Sequence, residues 1–233
     1  MAEPTSTEVK KPSGLLGNLV FNIALPVLIL SKLSTEEYLG PVLGLIVALA
    51  FPIGYGIREL TQSGKVNFFS VVGIISVLLT GGMSLLQLDP KYIAIKEAAI
   101  PGIIGLLVLS SQYTKFHLIK SMLSNAQILN FDKLYQALDK RQNRALFEQK
   151  LDITNRLLAC SFFLSSALNY GLAKWVLVSA PGTAAYNEEL GKMTALSYPV
   201  IVLPMMAIMM AVMWYLFSQI GRLTGEELEE FMQ

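Results

Sequence analysis

The chain has 233 residues, 53% of them hydrophobic and only 15% charged, against roughly 25% charged in an ordinary soluble domain. A net charge of +1 provides no basic surplus to draw nucleic acid. One cysteine, Cys160, and one histidine, His117, exclude an internal disulfide and any cysteine- or histidine-rich metal cluster. The few charges are bunched in short stretches between long apolar runs, and mean hydropathy is +0.52, which is how a polytopic membrane protein reads.

Residues 1–13 (MAEPTSTEVKKPS) are polar and aperiodic, and read as a disordered cytoplasmic arm. Lys10 and Lys11 precede an apolar run as they would in a signal peptide. No small-residue cleavage site follows, so the run reads as an uncleaved first span, Leu15 to Leu33. Stretches of about 20 apolar residues, enough for about 30 Å of hydrocarbon, give the others. They are Pro41 to Ile57, Phe68 to Leu88, Ala98 to Tyr113, Ile153 to Val178 and Val200 to Ile220. None alternates with period two, so barrel strands are excluded and helices follow. The expected fold is therefore all-α: a six-span membrane domain over residues 14–222.

The longest connection, residues 115–150, carries Phe131, Leu134, Tyr135 and Leu138 at helical spacing, with Leu146 and Phe147 continuing the stripe. Lys133, Lys140, Arg141 and Arg144 lie off that stripe, which predicts one amphipathic helix from Phe131 to Phe147 on the cytoplasmic leaflet. Packing on the cytoplasmic ends of the spans is a compatible alternative. Residues 223–233 form an acidic tail. Thr224 to Glu227 fits a capping box opening a short acidic helix, expected mainly as solvated surface, with pairing to the basic connection as the alternative.

With the N-terminus inside, the inner segments hold thirteen Lys and Arg and the outer segments five, a positive-inside bias that puts both termini in the cytoplasm. Asparagines near the inner starts of the odd spans (Asn18 or Asn22, Asn67, Asn155) and prolines near the starts of the even ones (Pro41, Pro101, Pro199) suggest three tandem helical hairpins.

Further resemblance lies in the run from Asp89, DPKYIAIKEAAIPGIIGLLVLSSQYTKFHLIKSML. Lys96 opens a span after Ile93, Ser111-Gln112 closes it, and Leu118-Ile119 with Met122-Leu123 form its exit. Thr80-Gly81-Gly82, Leu168-Asn169 and Gly191-Lys192 add to the pattern. Together, over roughly Gly40 to Leu216, these segments resemble the intracellular septation protein A family of Gram-negative inner membranes. The connection over residues 115–150 and the outer one from Ser179 to Tyr198 are longer than that family's. Ile153-Thr154-Asn155-Arg156 also replaces its tryptophan-rich fifth-span start, which suggests a divergent relative. The resemblance implies a multi-pass protein of the bacterial inner membrane with a role in septation, envelope integrity or phospholipid homeostasis. It also implies no established reaction and no cofactor.

Candidate functional groups are few, because ionisable side chains deep in a span are nearly absent. Lys96 and Lys192 both open even spans on the outer side and would form an anion or lipid-headgroup site with Asn169 if they converge. The alternative is interfacial anchoring. Asn18, Asn22, Thr80, Ser111 and Gln112 would either join helices or line a polar cavity. Lys133, Lys140, Arg141 and Arg144 are the candidates for contact with an anionic membrane surface. Five methionines in the last span read as adaptable packing. No catalytic constellation and no metal site is visible. The sequence thus predicts a non-enzymatic membrane protein that binds lipids and envelope or division proteins, of unspecified oligomeric state and without nucleic acid. A small transporter with a polar cavity between hairpins is the alternative.

Overall fold

Apolar runs of this length form helices because backbone without water must bond to itself. The computed structural model describes residues 17, 19–63, 68–113, 118–125 and 128–232. The arm over residues 1–13 and Asn18 lie outside them. Among the described residues the elements are α1 (Val20–Leu33), α2 (Gly40–Ser63), α3 (Phe68–Leu85), α4 (Lys91–Ser111), α5 (Leu118–Asn125), α6 (Phe131–Lys140), α7 (Arg144–Val176) and α8 (Ala184–Thr224), then a 3-10 turn, Leu228–Phe231. The only strand-like feature among these residues is an antiparallel bridge between Leu129 and Met232.

Three helices are long and apolar enough to cross a membrane: Gly40–Arg58 within α2, all of α4, and α8. Two further apolar segments, α1 and Val71–Leu85 of α3, are shorter. In the most apolar windows of α2, α4 and α8, only 17%, 28% and 17% of residues are buried, so these helices present their apolar side chains outward. Val42, Ile46, Leu106, Leu107, Leu203 and Met210 are all exposed. Apolar surface on that scale suits a membrane-embedded protein. The helix α7 is 33 residues long, about 50 Å, so the expected span from Ile153 is the later part of a longer rod.

Prolines bend the local pattern without ending helices. Pro52 and Pro101 lie inside α2 and α4, and α1 carries π-helical turns on both sides of Leu25–Leu28, which includes Pro26. The Ala98 carbonyl, one turn before Pro101, accepts the Ser166 hydroxyl at 2.7 Å.

The chain divides into two units, Met1–Ile93 with Trp175–Ala195, and Ala94–Lys174 with Leu196–Gln233. In the first, α2 packs against both α1 and α3. Ser34, at the turn after α1, is buried and donates to the Ile29 carbonyl at 3.3 Å. Gly44 sits so close to Ser34 that a Cβ would collide with it. The sequence places residues 179–198 in an outer connection. The structure instead makes Ala184–Ser197 helical, with the Thr183 hydroxyl accepting the Tyr186 N–H at 3.2 Å as a cap. Tyr186, Asn187, Leu190, Gly191 and Met193 are buried, and Asn187 donates its amide to the Pro41 carbonyl at 2.7 Å.

The second unit holds a core built from α4 to α8 and the tail. The helix α6 contributes Phe131, Leu134, Tyr135, Ala137 and Leu138, α7 contributes Phe147 and Leu151, and α8 contributes Leu216, Ile220 and Leu223. One expectation changes here. The single helix from Phe131 to Phe147 is two helices, broken at Arg141-Gln142-Asn143. Gln142 takes a left-handed φ of 57° there, and the Asn143 amide donates to the Leu223 carbonyl at 2.8 Å. The rest of its apolar stripe packs against α7 and α8, as the compatible alternative had it, while Leu146 is exposed.

The tail also differs from expectation. Thr224 ends α8 and bonds back to the Ile220 carbonyl, and Gly225 (φ 65°) terminates the helix, so no capping box opens at Thr224. The chain then returns to α6. Phe231 is fully buried, its carbonyl accepts the Asn130 N–H at 2.8 Å, and Lys133 Nζ donates to the Glu230 carbonyl at 2.7 Å.

Candidate functional site

A cavity of about 250 Å³ opens in the first unit, lined by Phe21 of α1 and by Ala50, Phe51, Gly54, Tyr55 and Arg58 of α2. Phe51, Gly54, Tyr55 and Arg58 follow the i, i+3, i+4, i+7 spacing of one helix face. Phe21 crosses to stack on that face, its ring centroid 6.5 Å from Phe51 and 5.9 Å from Tyr55 with the planes nearly parallel. Gly54 leaves space unfilled, since a Cβ there would meet nothing within 4 Å. Gly56, on another face, lies against Ile74 of α3, so one helix seats its neighbour and shapes the cavity at once. The Tyr55 hydroxyl is buried and has no hydrogen-bond partner among the described residues. Arg58 is exposed. The cavity is thus apolar and aromatic along most of its wall, with Tyr55 and Arg58, three residues apart on one face of α2, as the lining residues whose side chains carry polar groups.

Sequence reasoning did not select this face. Phe51 and Tyr55 fall within the expected second span, and Arg58, just past its end, entered only the count of inner charges. Their spacing was visible, but the stacking partner on α1 was not.

The three residues of the expected outer site each have their own surroundings. Lys96 is buried and pairs with its neighbour Glu97 at 2.6 Å. Lys192 is exposed on α8, where Glu189 lies one turn before it. Glu189 accepts the Val178 and Ser179 N–H groups and the Ser179 hydroxyl, fastening the segment after α7. Asn169 donates to the Ser165 carbonyl at 2.8 Å, within its own helix.

Two of the uncharged polar candidates bond the backbone of their own helices. Thr80 donates to the Ser76 carbonyl, and Ser111 donates to the Val108 carbonyl at 2.7 Å. Asn22 is half-buried in α1. Gln112 accepts from Arg156 Nε at 3.1 Å, and Asn155 donates to the Val108 carbonyl at 2.7 Å and to the Ser111 hydroxyl at 3.3 Å. Ser111 and Gln112 therefore belong to a polar seam joining α4 to α7. Gly105 permits that approach, because a Cβ there would sit 3.0 Å from the Phe163 ring.

The basic candidates surround α6. Lys140 and Arg141 are exposed, Lys133 holds the tail, and Arg144 pairs with Asp139 at 3.1 Å. Lys120 and Arg144 lie 4.5 and 4.6 Å from the centre of the Tyr135 ring. The Tyr135 hydroxyl donates to Glu148 at 2.6 Å, and burial, with that carboxylate, pushes its pKa well above the usual phenol range. Among the described residues, no three His, Cys, Asp or Glu side chains gather to hold a metal.

No family model, curated protein or solved structure matches this chain.

Proposed function

We propose that this protein is a six-span inner-membrane protein of envelope maintenance that acts by binding lipid, without catalysing a reaction. The helices α1, α2, α3, α4, α7 and α8 would make the six crossings, with α5, α6 and the tail forming a cytoplasmic cap. The observation that carries lipid binding is the cavity lined by Phe21, Phe51 and Tyr55, an aromatic recess on a helix whose other faces carry exposed apolar side chains. Apolar recesses with a few polar groups are where small amphiphiles bind. The resemblance to the septation protein A family, with its part in phospholipid homeostasis, points the same way.

Native mass spectrometry of the detergent-purified chain tests the reading. Retention of one phospholipid per chain, lost when Gly54→Leu fills the recess, is the expected result. A chain that carries no bound lipid, or a Gly54→Leu chain that keeps it, removes the reading.

A further inference from the structure

The lining of the cavity combines two chemistries. Phe21, Phe51 and Ala50 offer apolar wall, while Tyr55 and Arg58 stand three residues apart on one face of α2. Both are hydrogen-bond donors when Tyr55 is neutral, and Arg58 carries a permanent positive charge. Among the described residues the buried Tyr55 hydroxyl has no acceptor. The ion pairs found there involve Lys91, Lys96 and Arg144, and none reaches Arg58. A buried polar group without a partner is uncommon enough to need an explanation, and a ligand oxygen is one.

The surroundings narrow the ligand. Leu19, Val20 and Ile57, sequence neighbours of the lining residues Phe21 and Arg58, are exposed apolar side chains. The recess is therefore set in surface that favours hydrocarbon over water. A molecule that satisfies both chemistries needs an oxyanion joined to an apolar body. Guanidinium groups bind phosphate oxygens with paired, charge-assisted hydrogen bonds, and a tyrosine hydroxyl adds a third donor.

From this we infer that the cavity selects an anionic phospholipid. Arg58 and the Tyr55 hydroxyl hold its phosphate, and its glyceryl and acyl carbons lie against Phe21 and Phe51. The inference rests on the lipid-binding reading above and adds headgroup charge to it. A zwitterionic lipid carries the same phosphate but also a cationic group that Arg58 repels, so charge selectivity is the signature of this arrangement. Arg58 also stands at the end of α2 that the positive-inside bias assigns to the cytoplasmic leaflet.

The test titrates the full chain in detergent with phosphatidylglycerol or phosphatidylcholine and reads bound lipid by native mass spectrometry. The wild type is expected to prefer phosphatidylglycerol by about fivefold or more, the scale of one basic residue against one lipid charge. Arg58→Gln should abolish that preference while leaving a phospholipid bound. Tyr55→Phe should weaken binding of both lipids, whose phosphate is shared, and Lys174→Gln, at an exposed position in the other unit, should change neither. Equal retention of both lipids by the wild type, with both lost in Gly54→Leu, overturns the inference and leaves lipid binding standing. Undiminished preference in Arg58→Gln also overturns it. Absence of any bound lipid removes the inference together with the reading beneath it.

Discussion

Single residues divide into those that join helices and those with groups left over. Asn155 does both: its amide links α7 to the Val108 carbonyl and the Ser111 hydroxyl of α4, while its carbonyl oxygen is buried without a partner among the described residues. An interhelical hydrogen bond in a membrane protein contributes about 0.6 kcal/mol, and the orphaned oxygen offsets part of it. Asn155→Ala should therefore lower stability by about 1 kcal/mol or less, read as a small drop in unfolding temperature in detergent, with lipid retention unchanged. Lost retention at unchanged stability would give this residue a role the seam does not explain. Tyr135 makes a stronger prediction. Its hydroxyl donates to a carboxylate, an interaction of about 1.5–3 kcal/mol, so Tyr135→Phe should destabilise the α6 region by up to that amount. Because the folded pKa lies above the ordinary 10.0, the contribution is fully present below pH 10 and is lost as pH rises through the folded value. The stability gap between wild type and Tyr135→Phe should be flat from neutral pH to about 10 and narrow above it. A gap that already narrows near pH 8 would contradict the buried, carboxylate-held hydroxyl. The sequence marked Tyr135 only as a member of an apolar stripe, since its partner lies thirteen residues away beyond a helix break.

At the scale of elements, periodicity identified the helices well and their ends poorly. The stripe over residues 131–147 is continuous in sequence because α6 and the first turns of α7 bury side chains in the same core. The break was legible only in chemistry: Asn130 caps α6 by accepting the Lys133 N–H at 3.0 Å, and Asn143 stands just before α7 with its carbonyl accepting the Phe147 N–H. Residues 184–197 were missed for the opposite reason. Tyr186, Leu190 and Met193 recur at helical spacing, but Asn187, Glu188, Glu189 and Lys192 lower the hydropathy to that of a loop. The tail shows how little an acidic composition fixes. Buried Phe231 anchors it, with two hydrogen bonds to its backbone carbonyls, one from the Asn130 N–H and one from Lys133 Nζ. Phe231→Ala should cost about 3 kcal/mol, the low end for emptying a fully buried phenylalanine site. Releasing the tail should loosen α6, so trypsin should cut faster at the exposed Arg141 between α6 and α7. Unchanged cleavage would mean that α6 is held by α7 and α8 alone.

For the molecule as a whole, the all-helical, apolar character was legible because it depends on composition and period, both local in sequence. The cavity was not, because Phe21 and the Phe51–Arg58 face are some thirty residues apart and only packing brings them together. The number and direction of crossings rest on the charge count combined with helix lengths. Three helices meet the length and apolarity of a span, α1 and Val71–Leu85 of α3 are shorter apolar segments, and the crossing of α1, α3 and α7 belongs to the proposal. If all six cross, α5 and the loop before α8 lie on opposite sides, because α7 runs between them. Ser124 of α5 and Thr183 before α8 are both exposed, so each reports one side. Cys160 is the only native cysteine and is itself exposed, so it must first be replaced by serine. In that background, Ser124→Cys should react with a membrane-impermeant maleimide only after the membrane is opened, and Thr183→Cys should react in intact cells. The reverse pattern would invert the topology and move Arg58 to the outer leaflet. Labelling of both from one side would mean that α7 does not cross, and an even number of spans would have to be built from the remaining helices.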